Sequence, residues 1–385
     1  MACFNVRLGR FTESVIRRMT RVADECGAIN LSQGFPDFDP PLELRQALAE
    51  VALRGPHQYA VTWGASAFRE ALAKKQSRFM GIPIDPDSHI VVTCGSTEAM
   101  LAAMMTVCNT GDGVIVFSPF YENYGADAIL SGAEPIYVPL RPPYFEFDRK
   151  ELKRAFDRKP KAMVLCNPSN PSGKVFTKEE LEYIAGLAND SGAFIITDEV
   201  YEHIVYPPNR HTYMASLPDM FDRTLSVGSL SKTYSITGWR LGYIIAASPI
   251  IAEARKIHDF VTVGAAAPLQ EAAVTALSLP DSYYGELLEG YRERRDFFLR
   301  HLDRAGLKYY VPQGAYYVLV DISDFRWKDD VGFCERMARE VGVAAVPGSS
   351  FFHEPVNHLI RLHFAKSIET LKEAGERLAF LREKM

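Results

Sequence analysis

The chain reads as an α/β protein in which a large domain, built on a mostly parallel sheet between layers of helices, is joined to a smaller α+β domain. Three observations predict this. At 385 residues the chain is longer than one hydrophobic core normally supports, and its 47% hydrophobic content is enough to fill two. Through the middle, short β-branched runs alternate with helical patterns, the order expected of parallel strands with crossover helices. After Pro280 one long charged, periodic stretch leads into a region with strands of its own. The large domain is therefore placed at 45–280, and the small one at 1–44 together with 281–385.

In chain order, Val15, Met19, Val22 and Cys26 recur at helical spacing with Gly27 as a stop, which predicts an amphipathic helix. Residues 30–41 follow, rich in glycine and proline from Gly34 and Pro36 to Pro40 and Pro41. This composition predicts a loop of fixed path with a task beyond connection. Strands are predicted at 90–93, 114–117, 162–166, 193–197, 224–227 and 241–246. Between two of them, Thr177-Lys178-Glu179-Glu180 has the capping-box pattern that opens a helix. One helix spans 281–305 and ends at Gly306. Strands at 315–321 and 359–364 and a helix over about 368–381 complete the small domain.

Composition narrows the function. The 43 basic and 48 acidic residues leave a net charge of −5, spread without blocks, so neither nucleic acid nor an anionic membrane surface is an expected partner. The N-terminal stretch lacks an apolar signal segment, and no run approaches the roughly 18 apolar residues of a membrane span, which predicts a soluble cytoplasmic protein. Six cysteines, at 3, 26, 94, 108, 166 and 334, show no CxxC pair and no ligand spacing with histidine. No metal site and no disulfide framework is expected, and most of these cysteines are read as small buried hydrophobes.

Open α/β sheets bind ligands beyond the carboxyl ends of their strands, so the residues just after each apolar run are the informative ones. Those residues are Gly95-Ser96-Thr97-Glu98, Ser118-Pro119-Phe120-Tyr121, Asn167 to Gly173 with Asn170 inside, Asp198-Glu199-Val200-Tyr201, and Ser229-Leu230-Ser231-Lys232 with Arg240 eight residues on. Each has an ordinary structural explanation: Gly-Ser-Thr as a helix cap, Asp198 as a loop anchor, Lys232 as a solvated cation, Tyr121 as core filling. Together they supply an amine, a carboxylate, donors for a ring hydroxyl, an aromatic face and a phosphate cup on one rim. Pyridoxal phosphate needs that set.

The segment Ser229-Leu230-Ser231-Lys232-Thr233-Tyr234-Ser235-Ile236-Thr237-Gly238-Trp239-Arg240 resembles the lysine motif of class I aminotransferases of the fold-type I pyridoxal-phosphate family. Asn170-Pro171-Ser172-Gly173 is similar to the NPTG turn of that family, with serine for threonine, and Asp198-Glu199-Val200-Tyr201 and Arg361 also match. The resemblance runs over nearly the whole chain. It implies that Lys232 holds the cofactor as a Schiff base, that Asp198 pairs with the ring nitrogen, and that Tyr201 and Asn170 bond the ring oxygen. It implies a phosphate held by Ser96, Thr97, Ser229 and Arg240, a ring stacked on Tyr121, and a substrate carboxylate clamped by Arg361 and Asn170 beside Gly34.

Within the family, residues 31–38 and 119–124 look most like the branch of kynurenine, glutamine and aromatic aminotransferases. Tyr121, Tyr124 and Phe38 are candidates to line an amphipathic substrate pocket; for Phe38 a purely supporting role weighs equally. The expected substrates are an amino acid, aromatic or otherwise neutral, and a 2-oxo acid. Aspartate as donor, carbon–sulfur β-elimination, and a non-catalytic sensor on the same fold are the alternatives. Residues 57–64 resemble the family segment whose tyrosine, here Tyr59, reaches the phosphate of a neighbouring subunit, which implies a homodimer with shared sites. The alternative for Tyr59 is a buried residue in a surface turn.

Overall fold

The computed structural model describes residues 4–385, so Cys3 lies outside the described residues. Its main sheet orders eight strands as Ile90–Thr93, Gly242–Ile245, Thr224–Ser229, Phe194–Asp198, Ala162–Cys166, Gly113–Ser118, Glu134–Arg141 and Glu146–Phe147. The five from Thr224–Ser229 to Glu134–Arg141 pair in parallel. Gly242–Ile245 runs antiparallel to both neighbours, and Glu146–Phe147 closes a short antiparallel hairpin. Strands covered on both faces must be apolar on both. Accordingly Val114, Val116 and Ile196 enter one apolar cluster, with helices Ser96–Val107 and Ser248–Val261, while Ile115, Met163 and Ile195 enter another with helices Arg149–Asp157 and Lys178–Ser191.

All six strands expected in this region form, with ends shifted by a residue or two. Glu134–Arg141 is an addition that the sequence conceals, because Pro135 and Pro139 interrupt the β pattern. Its hairpin partner covers only Leu140 and Arg141, so most of its length is an edge, where a missing backbone donor is tolerated.

A second sheet of four antiparallel strands orders Lys308–Tyr310, Tyr317–Asp321, Leu359–His363 and Val346–Pro347. Ile29–Asn30 pairs in parallel with Val343–Ala344, stitching the N-terminal segment to this region. Helix Val15–Cys26 buries Ile16, Met19, Val22 and Ala23 and ends at Gly27, whose φ of 59° lets its N–H reach the carbonyls of Ala23 and Asp24. The capping box forms: Thr177 accepts from the Glu180 amide, and Glu180 accepts from that of Thr177. The long helix spans Asp281–Arg304. The last predicted helix stops at Leu378, and a separate turn, Leu381–Lys384, follows.

The cysteines correct one expectation. Among the described residues only Cys334 is a buried cysteine; Cys26, Cys94, Cys108 and Cys166 are half-buried and unbridged. Among the described residues no cluster of potential ligands could hold a metal ion, and no helix is long and apolar enough to cross a membrane.

Candidate active site

The parallel strands end on one edge, and the antiparallel Gly242–Ile245 begins there, so the segments carrying Ser96, Tyr121, Asn170, Asp198, Lys232 and Arg240 converge. Asp198 is the last residue of its strand and is buried. Tyr124 Oη donates to its Oδ2 at 2.6 Å and the Val200 amide to its Oδ1 at 3.3 Å. Burial pushes the carboxyl above its usual pKa, opposed by those two bonds and by the charge of Lys232. Among the described residues Asp198 has no cation in ion-pair contact. The hydroxyl of Tyr124 is thus committed to Asp198 and its ring is buried, which removes it from the expected substrate pocket. Phe38 packs edge-on to Tyr291 beneath Arg294, in a supporting position.

Lys232 follows in the short helix Leu230–Thr233. Its Nζ donates to the Gly34 carbonyl at 3.0 Å. Burial and the nearby guanidinium of Arg240 lower its pKa to about 8, against the opposing pull of Asp198. Tyr316 Oη donates to the same carbonyl at 2.9 Å, and the hydroxyls of Tyr201 and Tyr317 share a 2.9 Å hydrogen bond. A side chain on Gly34 would overlap the Tyr317 hydroxyl, so only glycine lets the loop come this close. The fixed path expected of residues 30–41 has its reason here.

At the other end of the site, helix Ser96–Val107 opens at Gly95 with no side chain capping it. Its first amides are free to meet an anion. Gly95 has a φ of 83°, and a Cβ there would run into the guanidinium of Arg240. Arg240, itself left-handed at φ 54°, is held by a 2.9 Å bond to the Thr237 carbonyl. Ser96 is half-buried and Thr97 exposed. The Ser229 hydroxyl lies 2.8 Å from Ser231 Oγ and 3.0 Å from the Leu241 carbonyl. Tyr121 is partly buried, its ring edge-on to that of Tyr124 at 5.8 Å between centres.

Arg361 is fully buried. One terminal nitrogen donates to Asn170 Oδ1 and the other to the Ser32 carbonyl, each at 2.7 Å, while Nε has no partner. The guanidinium lies between the rings of Tyr317 and Phe351, 4.3 and 4.6 Å from their centres. No carboxylate balances it among the described residues. A buried cation of this kind is a docking point for a carboxylate.

Tyr59 is the one expected site residue that stands apart: 87% exposed, it is not the buried residue of an ordinary turn. Tyr316 and Tyr317 are not among the expected site residues. They open the strand Tyr317–Asp321 and its approach, far along the chain from the loop they pin, and only the pairing of the second sheet brings them there.

A family model described as aminotransferase class I and II matches residues 27–378. The chain belongs to this family. It is 39% identical to the methionine aminotransferase of Escherichia coli over 373 residues, covering 97% of both proteins. It is 34% identical to human kynurenine–oxoglutarate transaminase 1, covering 93% of each. Its fold superposes on the aspartate aminotransferase of Thermus thermophilus solved with maleate, with a TM-score of 0.92, 32% identity, and 99% and 100% of the two chains covered.

This aminotransferase is a pyridoxal-phosphate enzyme, and its residues fit the group. An uncapped helix start beside Arg240 suits the phosphate, and a buried carboxylate without a counter-ion suits a protonated ring nitrogen. The buried amine of Lys232, its pKa lowered to about 8, suits attack on an aldehyde carbon.

Proposed function

We propose that this aminotransferase takes its amino group from a neutral, bulky L-amino acid, such as methionine, phenylalanine, kynurenine or glutamine, and passes it to a 2-oxo acid by ping-pong turnover. One observation carries the preference. Beside the carboxylate clamp, Ile16, Val346 and Phe351 form an apolar cluster against which Val15, Tyr121 and Phe352 pack, so the nearest wall offers contact area and no charge. The similarity to methionine and kynurenine aminotransferases supports the same reading.

In this reading Arg361 and Asn170 fix the substrate α-carboxylate, and the amino group is directed toward Lys232. Pyridoxal phosphate supplies the electron sink that makes the α-proton acidic enough to leave. Asp198 keeps a proton on the ring nitrogen, since a buried anion raises the basicity of a neighbouring base. Tyr201 and Asn170 donate to the ring oxygen. Lys232 Nζ, with its pKa lowered to about 8, takes the α-proton as free base and returns it within the site. Ser96, Thr97, Ser229 and Arg240 hold the phosphate, and Tyr121 covers the ring. Tyr59 completes the phosphate cup of a second copy of the chain.

Half-reactions with a panel of amino acids, followed by the cofactor absorbance, test the donor class. Methionine, phenylalanine, kynurenine or glutamine should exceed aspartate in kcat/KM. If aspartate leads, the reading is wrong, and the resemblance to the Thermus enzyme is the better guide.

A further inference from the structure

The helix that opens the phosphate cup carries an acid in its first turn. Glu98 stands three residues past Gly95 and is buried. One of its oxygens accepts the Cys94 amide at 2.5 Å, which ties down the chain just before the cup. The other accepts the Thr262 hydroxyl at 3.0 Å and lies 2.5 Å from Nδ1 of His258. His258 is fully buried, and its Nε2 is 2.9 Å from the carbonyl of Thr62, in the loop that also carries Tyr59.

Hydrogen-bond roles fix the proton count. A carbonyl only accepts, so Nε2 carries a hydrogen. A carboxylate also only accepts, so the short contact at Nδ1 needs one more proton on the pair. Burial lowers the pKa of His258, but its hydrogen bond to Glu98 and the charge of that group outweigh burial and raise it, which places the extra proton on the ring as an imidazolium facing a carboxylate. The charged groups around it are Glu98 on the cup helix and Asp259 on its own helix. Cys94, preceding the cup, faces Glu98.

This arrangement answers an electrostatic problem. A bare carboxylate within one turn of a bound dianion repels it at short range and with little screening, since the site is buried. We propose that His258 is a positioning residue for the phosphate: its Nδ1 proton neutralises Glu98 while its Nε2 proton clasps the Thr62 carbonyl, so that the cup and the Tyr59 loop are held together by one charged ring. The proposal rests on the assignment of the cup to Gly95–Thr97 and Arg240. His258 and Glu98 touch neither substrate nor ring.

The sign of the pH dependence follows. The paired form persists below the raised pKa of His258 and is lost as pH climbs through it, leaving Glu98 without its cationic partner and the Thr62 contact without charge assistance. Phosphate affinity of the protein should fall on the alkaline side. In Glu98→Gln the amide nitrogen donates to a neutral Nδ1 and the amide oxygen still accepts from Cys94, so both ties survive without the extra proton, while the Thr262 hydroxyl turns to the His258 carbonyl 3.4 Å away. Its phosphate affinity should stay level over the same range. His258→Leu leaves the acid unpaired and should weaken phosphate binding by about tenfold or more.

The experiment is calorimetric binding of inorganic phosphate to the full chain freed of cofactor, from pH 6 to pH 10, for wild type, Glu98→Gln, His258→Leu and Arg240→Ala. An alkaline loss in wild type that Glu98→Gln abolishes supports the proposal, even if His258→Leu does not fold. If Arg240→Ala binds phosphate like wild type, the cup itself is misassigned. If Arg240→Ala loses phosphate while wild type and Glu98→Gln keep the same pH profile, the cup stands and the role of His258 is refuted.

Discussion

Lysines near the strand ends differ in what holds them. Lys174 is buried, with its Nζ 2.9 Å from the carboxylate of Glu180. Lys232 meets only a carbonyl and has its pKa lowered to about 8, which leaves an appreciable free-amine fraction at neutral pH. Borohydride reduction of the enzyme should therefore fix the cofactor on Lys232, and Lys232→Ala should fold but retain no fixed label. Peptide mapping that finds the label on Lys174 would overturn the assignment. Asp198 acts on the same amine: it is the influence that raises the Lys232 pKa, so Asp198→Asn should shift the titration of Lys232 to lower pH. The pH dependence of Lys232 acylation in cofactor-free protein reads this directly, and a shift to higher pH would contradict the cause given. The same variant should slow α-proton exchange of bound amino acids by orders of magnitude.

Elements explain which parts of this site are legible in the sequence. Asp198, Lys232 and Asn170 are visible because each follows an apolar run, and parallel strands deliver whatever follows them to one edge. The bonds of Tyr124, Tyr316 and Tyr317 are not, because an aromatic residue at a helix or strand start looks the same whether its hydroxyl is solvated or bonded to Asp198, Gly34 or Tyr201. The Glu98–His258 contact bridges 160 residues and leaves no local pattern at all. Prolines hide the strand Glu134–Arg141 for a different reason, since its outer position relaxes the rule against them. Among the loops, residues 30–41 depend most on one atom's absence. Gly34→Ala should push the loop off Tyr317, displacing the Ser32 carbonyl from Arg361 and raising KM for carboxylate substrates by at least about tenfold. Steady-state kinetics with an unchanged KM would show that the loop yields elsewhere. Thr177→Ala, by contrast, should cost about 1 kcal/mol of stability through the lost cap and leave kcat/KM alone, as thermal unfolding and rates together would report.

At the scale of the whole molecule, one group of exposed apolar side chains lies on the segments around the cup. Tyr59 and Phe260 are 87% and 94% exposed, and Val61, Val261 and Val263 are exposed beside them, on two segments joined through the His258–Thr62 contact. Under the proposed sharing of sites, this is the surface that a second copy of the chain would cover. A two-fold dimer puts the same patch on both chains and carries each Tyr59 toward the partner's cup. Complementation decides whether it does. In a hybrid of Tyr59→Ala and Lys232→Ala chains, one site combines the intact lysine of the first with the intact tyrosine of the second, and the other site lacks both. Random pairing on mixed refolding makes about half the dimers hybrid, so activity should approach roughly a quarter of wild type if Tyr59 acts across the interface. If Tyr59 serves its own chain, every hybrid site lacks one partner. The mixture then does no better than the average of its parents, and the shared site is excluded.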